Sequence, residues 1–305
     1  MSVLRTTALT AIAPAVWGTT YIVTSELLPA DHPLFSGLAR ALPAGLLAIA
    51  LTRTLPAGAW WWRAAALGVL NIGAFFPLLF LTAYRLPGGV AAPLNATQPL
   101  LVAFLAVLLL GQPLSRWRLG WGLVGVLGVA LLVLRGEINL DGVGILAGIL
   151  AAASMATGVT LTKRWGRPSH VGPMAFAGWQ LSAGGLFLLP ITLVTEDVPG
   201  SITGIGIAGY AWLGLIGGLL TYTLWFSGIG RIPVTSAALL GLLSPIVAAV
   251  LGAVFLGQLL GPVQLLGFAL ALAAIAAGQF NPTRGTTPAP PQTSRAEPPL
   301  ERTLS

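Results

Sequence analysis

Predominantly apolar stretches follow one another from Ala8 to Phe280, divided by short breaks of Arg, Pro, Gly and acidic residues. Each is close to the roughly 20 residues that a helix needs to cross a hydrocarbon core of about 30 Å. The breaks predict ten transmembrane helices, near 8–28, 34–52, 64–84, 88–110, 117–135, 142–162, 171–194, 205–229, 233–256 and 262–280. The expected fold class is an all-α integral membrane protein. The first run follows Arg5 as the core of a secretory signal would, but it continues past Trp17 and Tyr21 to Leu28, longer than such a core. After Phe280 the chain reads NPTRGTTPAPPQTSRAEPPLERTLS, proline-rich and polar, which predicts a disordered cytoplasmic tail over 282–305.

The apolar pattern occurs twice. A displacement of 146 positions lays Leu67 on Leu213, Arg85 on Arg231, Pro87 on Pro233 and Pro99 on Pro245, and it continues to Gly111-Gln112 on Gly257-Gln258. Roughly a third of the positions over this stretch are identical, Arg, Pro and Gln among them, which shared apolarity alone does not explain. A weaker match displaced by 138 pairs Thr19 with Thr157 and His32 with His170. The expected division is a first repeat at 1–139 and a second at 140–281. Five predicted helices per repeat is an odd number, so the second copy enters the membrane from the opposite side. Inverted repeats of this kind build secondary transporters, with a substrate site between the two halves near the midplane.

Charge adds an orientation. With a cytoplasmic N-terminus, Arg5, Arg53, Arg63, Arg116, Arg118, Lys163, Arg164, Arg167, Arg231 and the tail arginines share the inner side, leaving Arg85 and Arg135 outside. An even number of spans then puts both termini in the cytoplasm. Composition excludes the alternatives: 8% charged residues against about 25% in soluble chains, and 56% hydrophobic residues, make lipid the solvent. The net charge of +7 is scattered between apolar runs and forms no basic stripe of the kind that binds nucleic acid. With no cysteine, disulfides, thiolate metal sites and cysteine nucleophiles are excluded.

The stretches APAVWGTTYIV, PLFSGLARALPAGLLAIAL and AAPLNATQPLLVAFLAVLLLGQ, with the second-half partner of the last, resemble the drug/metabolite transporter superfamily, EamA type. The resemblance covers about residues 8 to 280. It implies ten helices in two EamA repeats, a bacterial-type inner membrane, and export of amino acids or other metabolites, with the aromatic amino-acid exporter branch (YddG type) the most similar. One departure concerns the Gly-Glu pair common after the fourth and ninth helices of the family, replaced here by Gly111-Gln112 and Gly257-Gln258.

Candidate substrate contacts follow from polar and aromatic residues within the spans. Trp17, Thr20, Tyr21 and Thr24 share one helix face, suited either to a cavity or to packing with the hydroxyls bonded to their own backbone. Asn95 and Gln98, before Pro99, are costly amides at membrane depth and serve as helix glue or substrate contact. Ser244-Pro245 occupies the equivalent place in the second repeat, where proline frees a carbonyl or kinks the helix. Phe76 and Phe80, Trp179 and Gln180, and Tyr222 and Trp225 can together form an aromatic wall. Arg40 lies roughly 10 Å into the second helix at 1.5 Å per residue; it snorkels, pairs with a carbonyl, or faces the cavity and holds a carboxylate. Trp60, Trp61 and Trp62 read as an interfacial belt, and His32 and His170 as surface residues at helix starts. Gly144-x-x-x-Gly148 and Gly214-x-x-x-Gly218 permit close helix approach.

A membrane-embedded enzyme is the rival class, but no His-Glu-x-x-His, paired intramembrane Asp or phosphate-binding Gly-rich loop is present. No catalytic residue, metal or cofactor is expected. The expected partners are a small-molecule substrate and the bilayer. All six carboxylates before the tail sit in or beside predicted outer connections, so facilitative transport, or transport weakly coupled to protons, is expected.

Overall fold

The structure, a computed structural model, describes residues 3–29, 32–85, 94–133, 141–257 and 260–280. Among these residues every regular element is helical, and ten rods follow in order. The first repeat contributes α1 (Val3–Trp17 and Thr20–Leu27), α2 (Pro33–Thr52), α3 (Trp60–Gly68, a π-helical stretch Val69–Gly73, then Phe75–Arg85), α4 (Leu94–Leu110) and α5 (Arg116–Val133). The second contributes α6 (Gly142–Trp165), α7 (Pro173–Thr195), α8 (Gly204–Ile229, π-helical over Trp212–Leu220), α9 (Val234–Leu240 and Leu243–Phe255) and α10 (Pro262–Gln279). Seven of them, α2, α3 and α6 to α10, are long and apolar enough to cross a membrane, and α4 is a shorter apolar helix. Several expectations fall outside the described residues: Asp31, Pro87, the start of the 88–110 helix, Arg135, Glu137, the 139/140 boundary, Gln258 and the tail.

Local chemistry sets the helix ends. Pro33, Pro173 and Pro262 open α2, α7 and α10 in the first turn, where their missing N–H costs nothing. Gly111 closes α4 and Gly257 follows α9, both left-handed, with φ of 62° and 64°. The repeated Gly of the two Gly-Gln pairs is therefore a helix stop, a conformation that L side chains resist. Asp141 caps α6 by accepting the Gly144 N–H at 2.7 Å. At the far end of α6, Lys163 Nζ donates to the carbonyls of Ile229, Gly230 and Ile232 at 2.9, 2.9 and 3.0 Å, tying down the end of α8.

In lipid, packing between helices rests on van der Waals contact and small residues, because lipid tails are as apolar as leucine. The centre of the bundle is the α2/α7 pair, where Gly45 lies against the Leu181–Ser182 backbone and a Cβ on Gly185 would meet Leu42 at 2.7 Å. Glu196, just past α7, accepts the N–H groups of Leu34 and Phe35 at 2.7 and 2.8 Å, fixing the start of α2. Leucine, valine and phenylalanine are exposed on the outer faces, as a lipid-facing surface requires.

The repeat is visible in the distortions. The π-helical stretch 69–73 of α3, displaced by 146, falls on 215–219 inside the π-helical stretch of α8. Between α2 and α7 the displacement is 140, laying Pro33 on Pro173, Gly45 on Gly185 and Arg40 on Gln180. Contacts obey this register, since a Cβ on Gly68 would meet the Gln180 carbonyl at 2.6 Å and one on Gly214 would meet the Arg40 carbonyl at 3.5 Å. The structure thus holds two related junctions, α2 on α8 and α7 on α3.

Candidate functional site

A narrow cavity, with room for about one water molecule, lies beside the α2/α8 junction, in the half of the bundle nearer Glu196. Its walls are Thr20 and Thr24 of α1, Ser36, Gly37 and Arg40 of α2, Phe76 and Phe80 of α3, and Leu213 of α8, so both repeats contribute. Ser36 stands one helical turn before Arg40 and shares its face.

Arg40 is buried, 8% exposed. Its Nη2 donates to the Gly217 carbonyl at 2.8 Å, its Nη1 approaches Thr20 Oγ1 at 3.4 Å, and its guanidinium lies over the Phe76 ring, 5.3 Å from the centroid. The buried Nε has no hydrogen-bond partner. Among the described residues no carboxylate comes within ion-pair distance of it; the ion pair present, Arg85 to Asp141 at 3.5 Å, is at the surface. There the Asp141 carboxyl is held below its ordinary value chiefly by the Gly144 N–H, partial burial opposing this and Arg85 adding to it.

The π-helical stretch of α8 has a further consequence. Within it the Gly217 carbonyl accepts from Arg40, from Trp17 Nε1 at 3.0 Å and from Thr221 Oγ1 at 2.7 Å. Such bulges frequently occur at functional sites because they release backbone groups for use elsewhere.

On the Lys163 side of this hub the bundle is closed by aromatic rings. Trp17 meets Tyr222 and Trp225 at 5.2 and 5.3 Å; Tyr222 meets Phe226 at 5.4 Å, and Phe226 meets Phe176 at 5.7 Å. Phe176 continues to Trp60 at 5.6 Å and to Trp179 at 6.2 Å. Trp179 donates to the Thr54 carbonyl at 2.7 Å. Behind this wall, Asn71 Nδ2 donates to Gln180 Oε1 at 2.8 Å, both residues being fully buried, and Asn71 packs directly on Gly158.

The sequence candidates therefore divide. Thr20, Arg40, Phe76 and Phe80 come together around the cavity. Trp17, Trp179, Tyr222 and Trp225 form the aromatic closure, and Gln180 is glue between α7 and α3. Asn95 and Gln98 on α4 and Ser244 on α9 are half-buried; none of the three lines this cavity, and the Ser244 carbonyl instead lies 2.7 Å from where a Cβ on Gly18 would stand, at the break in α1. Tyr21 lies on α1, and its side chain is outside the described part of the structure. Of the expected tryptophan belt, Trp61 and Trp62 are exposed, whereas Trp60 turns inward onto Phe176. Ser36, Leu213 and Asn71 were not among the candidates. Ser36 is legible from its spacing to Arg40, and Asn71 from the rule that singled out Asn95, a polar amide inside an apolar run.

Comparison with known proteins gives the arrangement its context. The EamA-like transporter family matches the chain twice, over residues 5–134 and 142–277. Protein PecM of Dickeya dadantii is 47% identical over 263 residues, 86% of this chain and 88% of that one. A probable terminal-alkyne amino-acid exporter of Streptantibioticus cattleyicolor is 26% identical over 217 residues, 69% of this chain and 70% of that one. An inner membrane transporter of Escherichia coli, YedA, is 24% identical over 267 residues, 85% of this chain and 86% of that one. The family match, the two relatives named as transporters and the apolar helices make this a multi-pass inner-membrane transporter and not an enzyme. The chain belongs to the EamA-like transporter family.

Proposed function

We propose that this small-molecule transporter exports amino acids or related metabolites, aromatic ones among them, by alternating access between its two repeats. Ten membrane crossings, both termini in the cytoplasm and the two repeats inverted about the 139/140 boundary complete the proposal, supported by the Arg/Lys asymmetry. The main support is the unequal state of the two halves: a cavity with walls from both repeats lies on one side of the Gly217 hub, and interlocked rings close the other. A carrier caught open to one side has this form. The similarity to an amino-acid exporter points to the substrate class. Among the described residues no carboxylate lines the cavity, which supports movement that is facilitative or weakly coupled to protons.

Flux of labelled amino acids in proteoliposomes tests the function. Entry of aromatic amino acids above protein-free vesicles is expected, without net accumulation under an imposed pH gradient; no flux across an amino-acid panel rejects the substrate class. Single cysteines at the exposed positions Ser169 and Asp197 are expected to react with impermeant reagents from opposite faces, and reaction from one face rejects the topology.

A further inference from the structure

We infer that Arg40, with the hydroxyls of Thr20, Thr24 and Ser36, is a subsite for a single carboxylate, and that the carrier recognises its cargo by this group and not by an amino group. The inference deepens the proposed export function, because it takes the same cavity as the cargo site.

A buried guanidinium without a counter-ion is costly in a low-dielectric bundle, and membrane proteins keep such a charge where it meets a partner. Here the protein provides two neutral acceptors and a ring face, and no carboxylate among the described residues. Guanidinium carries five N–H donors, and the two described hydrogen bonds leave Nε unmatched. The cavity that Arg40 lines is where a partner can reach it.

Geometry and charge restrict its chemistry. The guanidinium lies over the Phe76 ring, and the fork of a planar guanidinium matches a carboxylate better than a point charge does. Arg40 is the one cation lining the described cavity, so one negative charge balances it, whereas a dianionic phosphate leaves surplus charge in an apolar setting. Phe76, Phe80 and Leu213 supply an apolar surface for the rest of the molecule. Among the described residues a zwitterion's ammonium group finds no carboxylate on these walls, only the hydroxyls of Thr20, Thr24 and Ser36. An arylalkyl carboxylate without an amino group is therefore expected to bind about as well as the corresponding amino acid.

The test is direct binding to the purified full-length chain in detergent, read as a shift in melting temperature, with 3-phenylpropionate, 3-phenylpropionamide, phenylalanine and inorganic phosphate as probes. The carboxylate and phenylalanine should both raise the melting temperature, the isosteric amide should bind about 10-fold more weakly or worse, and phosphate should have no effect. In Arg40→Gln the difference between carboxylate and amide should disappear; in Arg40→Lys it should survive in reduced form. Equal binding of carboxylate and amide by the unaltered protein, stabilisation by phenylalanine alone, or no stabilisation by the carboxylate overturns the inference. These comparisons need no variant to fold. Failure of the transport proposal is read separately, as absent flux in proteoliposomes.

Discussion

The two related junctions of this protein start from one plan and end in opposite conditions. In both, a polar side chain of a central helix reaches the π-helical stretch of the other repeat: Arg40 meets Gly217, and Gln180 meets Asn71. Asn71 and Gly217 correspond under the 146-residue displacement. Where the first repeat offers an amide side chain, the second offers a bare backbone carbonyl and leaves room for the longer Arg40. One junction is neutral and sealed; the other holds a charge beside a narrow cavity. The two repeats thus share one architecture, while divergence at two corresponding positions puts the charge at one junction only.

The largest expected effect comes from breaking the sealed side. Trp225 is 1% exposed and packs edge-on against Trp17, so Trp225→Ala should cost about 3–5 kcal/mol of stability, as truncation of buried large aromatics does. Denaturation of the purified protein measures this, and the surviving fraction should carry an altered range of substrates. A loss below about 1 kcal/mol would mean that the ring chain is loosely packed and closes nothing.

A smaller effect separates the junctions. Gln180→Leu removes the acceptor of the Asn71 amide and leaves only Thr162 Oγ1 at 3.5 Å, so it should destabilise by about 1–3 kcal/mol. Asn71→Leu with Gln180→Leu should cost less than the sum, with a coupling nearer 1 than 3 kcal/mol, the range for interhelical hydrogen bonds in membranes. Arg40→Leu should leave thermal stability unchanged or raised: it removes an uncompensated buried charge, and the Gly217 carbonyl keeps Trp17 and Thr221 as donors. A destabilisation by Arg40→Leu equal to that of Gln180→Leu would make both junctions structural glue.

The sequence pattern carried the architecture because lipid leaves few ways to satisfy a backbone: runs of helical length, prolines at their starts and glycines at their stops placed nearly every rod within a few residues. The corresponding glycines Gly111 and Gly257 show why the repeat was legible, since a left-handed stop tolerates little else. The candidate site was read less completely. Helical spacing puts Trp17 and Thr20 on one face, but the break at Gly18–Thr19 turns the two parts of α1 differently, so Trp17 joins the closure while Thr20 lines the cavity. The role of Gly217 was invisible, because a backbone carbonyl that accepts from side chains carries no signal in the sequence. Arg40 was legible as a functional charge, but its partner was not.

Accessibility distinguishes the halves without touching their chemistry, and the chain helps by having no native cysteine. Thr24 lines the cavity, while Thr162 is 4% exposed behind the Asn71–Gln180 pair. Thr24→Cys should react with a small water-soluble thiol reagent about 10-fold faster than Thr162→Cys, as exposure of the thiolate governs the rate. Excess 3-phenylpropionate should slow the first and not the second. Faster reaction at Thr162 would assign the open side to the wrong half.

The smallest expected effect concerns α6, whose ends repeat the contrast on the scale of one helix. At one end Lys163 is half-buried against three carbonyls; at the other Asp141 caps the helix at the surface. The Asp141 carboxyl is lowered in the folded protein, chiefly by the Gly144 N–H, so it binds fewer protons there than in the unfolded chain. Its contribution is then fully present above the ordinary carboxylate range and is lost as pH falls through the lowered folded value. Amide hydrogen exchange, corrected for its intrinsic pH dependence, should show the first turn of α6 losing protection over that acidic window while the Lys163 end keeps its own. Asp141→Asn should retain a cap oxygen but abolish the pH dependence of that turn. Equal loss of protection at both ends of α6 on acidification would show that the helix melts as one unit and that its two caps are not independent.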